Sequence, residues 1–116
     1  MNNNFAGHLA ESMAQWFMRL HGYHIIACNE ITGKGTHAGE IDFIAKRGQT
    51  IVFVEVKKRK SLENAAYAIK PVQQQRIKNG AQAFIKRNPK YKDYNIRFDA
   101  ILITFPCTIQ HIENAW

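Results

Sequence analysis

Glu40-Ile41-Asp42-Phe43-Ile44-Ala45-Lys46-Arg47-Gly48-Gln49-Thr50-Ile51-Val52-Phe53-Val54-Glu55-Val56-Lys57 is the stretch that decides the fold. Glu40 to Lys46 and Thr50 to Lys57 are rich in Ile, Val and Phe, and Arg47-Gly48-Gln49 between them is a hairpin signal. Strand side chains alternate faces, so Ile51, Phe53, Glu55 and Lys57 point one way and Val52, Val54 and Val56 the other. Both faces are apolar along most of their length, which predicts a strand covered on both sides. One of those faces nevertheless ends in a carboxylate and, about 6.6 Å further along, an ammonium. If the turn centres between Gly48 and Gln49, Asp42 lies directly opposite Glu55.

Opposed cross-strand side chains hold their Cβ atoms about 4.5 to 5.5 Å apart, where two like charges are destabilising. A proton on one acid, or Lys57 beside the pair, would relieve part of that repulsion. A hard divalent cation with oxygen ligands would do more, and two carboxylates suit Mg²⁺ or Mn²⁺. Such an ion acidifies a bound water and stabilises charge developing on a phosphate. Glu-x-Lys at a strand end is also a common solvated ion pair, so Asp42 on the facing strand is what lifts the pattern above that reading. In the same register Glu40 faces Lys57, where a structural ion pair is expected.

Outward from the hairpin, Leu9, Met13, Trp16, Phe17 and Leu20 form a helical stripe over residues 8 to 21, with Trp16 in the core and Gly22 as the stop. His24 to Cys28 reads as a first strand, and Asn29 to Gly39, with Gly33, Gly35 and the isolated His37, as a loop. Residues 61 to 70 carry alanines but no clean stripe, and are left unassigned. From Pro71 to Ile85 a second helix presents Gln73, Ile77, Gly80, Ala81 and Phe84 on one face, and Asn88-Pro89 ends it. Ile96 to Phe105 is a long strand interrupted by Asp99, which spacing pairs with Arg97 on the same face, and Thr108 to Ile112 is a short last strand. The order helix, strand, hairpin, helix, strand predicts an α/β domain with a mixed sheet flanked by helices.

With 116 residues there is room for one such domain, 1–116, and not for a second. No run approaches the ~20 apolar residues of a membrane span, so a cytoplasmic protein without a membrane partner is expected. Cys28 and Cys107 lie far apart and read as buried or idle thiols. Sixteen Lys and Arg against nine Asp and Glu leave a net charge of +7, a field that attracts polyanions, nucleic acid foremost. The cations cluster in Lys57-Lys58-Arg59-Lys60 and again in Lys86-Arg87 with Lys90 and Lys92.

The segments Gly7-His8-Leu9-Ala10-Glu11, Ala38-Gly39-Glu40-Ile41-Asp42-Phe43-Ile44-Ala45, Val52-Phe53-Val54-Glu55-Val56-Lys57 and Arg97-Phe98-Asp99 together resemble the YraN-like family. The likeness runs from about residue 5 to the C-terminus, where Ile109 to Ala115 also fits. That family is similar to archaeal Holliday-junction resolvases and other PD-(D/E)xK nucleases. The resemblance implies a restriction-endonuclease-like fold and a Mg²⁺- or Mn²⁺-dependent endonuclease acting on DNA, with branched or junction DNA among its substrates. It implies Asp42 and Glu55 as metal ligands, Lys57 as charge stabiliser and Glu11 as a supporting carboxylate. Lys58, Arg59, Gln73 and Arg76 are the expected substrate contacts. Lys-Gln is usual in the family where this chain has Gln73-Gln74, so the basic residue of the second helix is missing. Resolvases act as dimers to cut two strands symmetrically, which makes a homodimer the expected assembly. The contrasting function is a nucleic-acid-binding module that keeps the fold without turnover, which would gain nothing from opposed carboxylates.

Overall fold

The computed structural model describes residues 3–31, 40–58, 69–104 and 108–116. Helix α1 (Asn3–Leu20) leads into β1 (His24–Ile31), β2 (Glu40–Arg47) and β3 (Thr50–Lys58); α2 (Pro71–Arg87) then precedes a 3-10 turn, β4 (Asn95–Thr104) and β5 (Thr108–Ile112). The five strands form one mixed sheet in the order β1-β2-β3-β4-β5, with β3 and β4 parallel and every other pair antiparallel. This is the mixed sheet flanked by helices expected of the restriction-endonuclease-like class. A parallel pair needs a long crossover, and the chain between β3 and β4 contains α2.

Alternation assigns each helix its side. Phe43, Ala45, Val52, Val54, Ile101 and Ile103 pack with Ala10, Ala14 and Met18 of α1. Ile44, Ile51 and Phe53 pack on the other face with Ile77, Ala81 and Phe84 of α2. Pairing of both central strands and cover on both faces explain why Val52, Phe53, Val54, Ile101, Leu102 and Ile103 are fully buried.

Helix α1 rotates away from the expected stripe. Trp16, expected in the core, is 61% exposed and lies under the Arg19 guanidinium, 5.2 Å from its ring centroid. Ala10, Ala14 and Met18 face the sheet instead, because small side chains let the helix backbone approach closely while Met13 and Phe17 fill the margins. The helix stops at Gly22, as expected, with φ +89°. Gly22 N–H bonds the Arg19 carbonyl and Tyr23 N–H the Met18 carbonyl, a Schellman ending whose apolar contact is Tyr23 with Met18 in one core cluster.

Strand β1 runs three residues beyond the expected Cys28, because Glu30 and Ile31 pair with Ile41 and Glu40 of β2. Cys28 is exposed rather than buried, and Cys107, His37 and most of the expected 29–39 loop lie outside the described residues. Trp116 also has a place: it stacks on Phe98, which stacks on Phe53, with ring centroids 5.7 Å apart at each step. The Ala115 N–H donates to the Phe98 carbonyl at 2.7 Å and fastens the tail.

Asp99, which interrupts β4, is fully buried on the α1 face. Arg97 chelates it through Nε and Nη2, both at 2.8 Å; His111 Nε2 lies 2.7 Å away and Asn114 N–H donates at 3.0 Å. Burial alone would push this carboxyl up, but His111, Arg97 and Asn114 together hold it below its ordinary range. Arg97 reaches on to the Tyr23 hydroxyl, tying β4 and β5 to the start of β1. Asp99→Ala leaves the guanidinium with only the longer, solvent-exposed carboxylate contact to Glu113 at 3.7 Å, and unfolding in urea should show a loss of about 3 kcal/mol. An unchanged urea midpoint would mean that the network contributes nothing to stability.

Candidate active site

Strands β2 and β3 are joined by a two-residue loop, Gly48-Gln49. Gly48 has φ +60° at the first loop position, where the backbone twist of a tight hairpin asks for glycine. The loop sets the register: Arg47 pairs Thr50, Lys46 pairs Ile51, and so on to Phe43 and Val54. One further step puts Asp42 beside Glu55, as the turn position predicts. The recorded pairing ends at Phe43 and Val54, and Val56 N–H donates instead to Asp42 Oδ2 at 2.8 Å. One Asp42 oxygen is thereby fixed, which holds its carboxyl at the mouth between the strands.

Glu55 is only 5% exposed. Lys57 Nζ lies 3.3 Å from its Oε2, and Gln73 of α2 donates its amide N–H to the same oxygen. Burial, and next the neighbouring Asp42 charge, push the Glu55 carboxyl up to about 8, against the pull of Lys57. Burial raises Asp42 as well, opposed by the Val56 N–H, Glu55 and Lys57. Glu55 Oε1 finds no N–H or O–H donor among the described residues. A buried anionic oxygen in that condition needs a proton shared with Asp42 or a cation.

Asp42 and Glu55 line a cavity of about 420 Å³ whose other lining residues are Lys70, Val72, Gln73, Arg76 and Ile77. The donor set is hard oxygen, which fits Mg²⁺ or Mn²⁺ in a site where water and substrate oxygens complete the shell. No group of three or more His, Cys, Asp or Glu side chains gathers among the described residues, so the candidate ligands there are this pair.

Gln73 enters the cavity, but its amide is engaged with Glu55. Arg76, one turn along α2, is exposed at the cavity wall. Glu11 is half-buried on α1, the helix on the opposite face, and does not line this cavity. Lys58 ends β3 and alternates away from Glu55, while Arg59 lies outside the described residues. Lys57 pairs with Glu55; the side chain of Glu40, its expected partner, lies outside the described residues. Lys70 was not legible as a site residue. The available signal was its three-residue spacing before Gln73 on a helix starting at Pro71.

The family described as "Uncharacterised protein family UPF0102" matches residues 10–103, which contain the whole cavity. The chain belongs to the UPF0102 family. A UPF0102 protein of Nitrobacter winogradskyi is 46% identical over 111 residues, covering 96% of this chain and 91% of that one. A UPF0102 protein of Paramagnetospirillum magneticum is 41% identical over 110 residues, covering 95% and 85%. The YraN-like resemblance is borne out by these relatives. Among solved structures, Pyrococcus furiosus SfsA in complex with Ca²⁺ is similar over 90% of this chain and 60% of that one, at 16% identity and a TM-score of 0.33, too distant a likeness to carry an argument. No helix among the described residues is long and apolar enough to cross a membrane.

Proposed function

We propose that this UPF0102 protein is a divalent-metal-dependent endonuclease that hydrolyses phosphodiester bonds in DNA. The observation that carries the reading is the meeting of half-buried Asp42 and buried Glu55, two acids from adjacent strands, in one cavity with Lys57 on Glu55. Their mutual repulsion is a cost that a cation site would turn to use. Asp42 and Glu55 would hold Mg²⁺ or Mn²⁺, which when bound acidifies a water and neutralises charge on the scissile phosphate. The other residues act around that centre. Val56 N–H and the Gln73 amide orient the two carboxyl groups, each fixing one oxygen. Lys57 holds positive charge beside Glu55, where it can orient the attacking water or stabilise the transition state. DNA as the substrate rests on the +7 charge and on the resemblance to resolvases.

The test is a cleavage assay on junction, flap, nicked and linear duplex DNA with Mg²⁺ or Mn²⁺. Metal-dependent nicking of at least one substrate, abolished by chelator, is the expected result. Failure to cut any of them with either ion would reject the nuclease and favour the binding module.

A further inference from the structure

We propose that the groove between the C-terminal half of α2 and the start of β4 binds a small amphiphilic anion, an acyl chain ending in a carboxylate. The chain would lie along Ile96, Phe98, Ala81 and Ile85 with its head on Lys78. This groove shares no lining residue with the Asp42–Glu55 cavity, and the inference does not depend on the nuclease reading.

The way α2 crosses the sheet leaves this groove open. Ile77, Ala81 and Phe84 pack over Ile44 of β2 and over Ile51 and Phe53 of β3, so the first residues of β4 lie beside the helix rather than beneath it. Ile96 is 41% exposed and Phe98 half-buried, whereas β4 is buried from Asp99 to Ile103. Ile96 and Phe98, two apart on a strand, share a face and make the floor; Ala81 and Ile85, four apart on a helix, make the wall. The space enclosed is about 490 Å³, within the range of small-molecule sites. Its floor is held in place, because the Phe98 ring stacks on both Phe53 and Trp116 with centroids 5.7 Å apart in each pair.

The rim selects the occupant. Lys78, Gln82 and Lys86 follow at intervals of four along α2, which sets the two lysines about 12 Å apart along the helix axis at the two ends of the apolar trough. Helix α2 carries no acidic residue along its length, and among the described residues none lines the groove. Lys78 is half-buried and holds its Nζ 5.9 Å from the Phe98 ring centroid, over the apolar floor. A cation in that position is less screened than one in open water and attracts an anion more strongly. Apart from the lysines, the Gln82 amide is the one polar side chain in the lining. That is too little to orient a sugar or a nucleobase, whereas an extended acyl carboxylate asks for an apolar trough and a cation at its end.

The experiment titrates the full ¹⁵N-labelled chain with decanoate below its micelle concentration, beside decanol and decyltrimethylammonium. Decanoate should shift the Ala81, Gln82, Ile85, Ile96 and Phe98 amide resonances to saturation, decanol should bind more weakly, and the cationic analogue should leave them unmoved. Lys78→Met should raise the Kd for decanoate about tenfold, as loss of one charged hydrogen bond does, and Lys78→Arg should bind as wild type. Ile96→Asp should abolish binding, because it puts a like charge on the apolar floor. Lys78 is half-buried and Ile96 41% exposed, so the variants are expected to fold, and overlay of their remaining amide resonances checks it. An equal response to all three amphiphiles, or none to decanoate, overturns the site. So does decanoate that binds Lys78→Met as tightly as wild type, or that shifts only the exposed apolar positions Leu9, Trp16 and Leu20 of α1.

Discussion

Asp42→Asn should abolish metal-dependent cleavage by orders of magnitude while leaving DNA binding in place. The substitution keeps the side chain's shape and its carbonyl oxygen can still accept the Val56 N–H, so the hairpin is retained. It removes one of the two charges that hold the cation, and hence the water activation and phosphate neutralisation that depend on it. Lys57→Ala should fail in another way. It leaves both carboxylates standing, so divalent-ion binding persists while cleavage falls about 10²- to 10³-fold through lost transition-state stabilisation. Calorimetry with Mn²⁺ on wild type and both variants, run beside a nicking assay, separates the two. Purified Asp42→Asn that still cleaves at the wild-type rate would remove Asp42 from the mechanism and the nuclease reading with it.

Glu55→Gln should stabilise the metal-free protein at high pH although it destroys the site. The Glu55 carboxyl titrates near 8 in the folded protein against an ordinary value of 4.5. Between those values the folded state binds more protons than the unfolded chain, so stability declines as pH rises from about 4.5 to about 8. The stabilisation is fully present below the lower value and is lost above the upper one, and its size is on the order of a few kcal/mol. A neutral amide carries no such dependence. In chelator, urea midpoints of wild type should fall from pH 5 to pH 9 while those of Glu55→Gln vary less, and at pH 9 the variant should be the more stable protein. Divalent ion should reverse the order, because it stabilises only the chain that binds it. A variant less stable than wild type at pH 9 in chelator would show that Glu55 is a structural acid. Charge stored against stability would then be the wrong account of this cavity.

The sequence by itself determined the hairpin and most of the elements around it. Two local quantities were enough: the period of two in Thr50 to Lys57 and the glycine that a two-residue turn requires at position 48. Together they set Asp42 beside Glu55 without any tertiary contact. The Arg97–Asp99 pair was legible for the same reason, since a spacing of two on a strand makes neighbours on one face. Tertiary structure decided what local periodicity does not encode. Trp16 is exposed because packing chose the alanine face of α1, which approaches the sheet more closely than the bulkier stripe could. His111, Tyr23 and Asn114 joined Asp99 from distant parts of the chain, and Trp116 found Phe98 in the same way. Gln73 on Glu55, and Lys70 and Arg76 around it, depend on how α2 docks over the sheet. That docking is set by the packing of Ile77, Ala81 and Phe84 against Ile51 and Phe53, a contact between segments far apart in sequence that no spacing rule along one strand or helix contains.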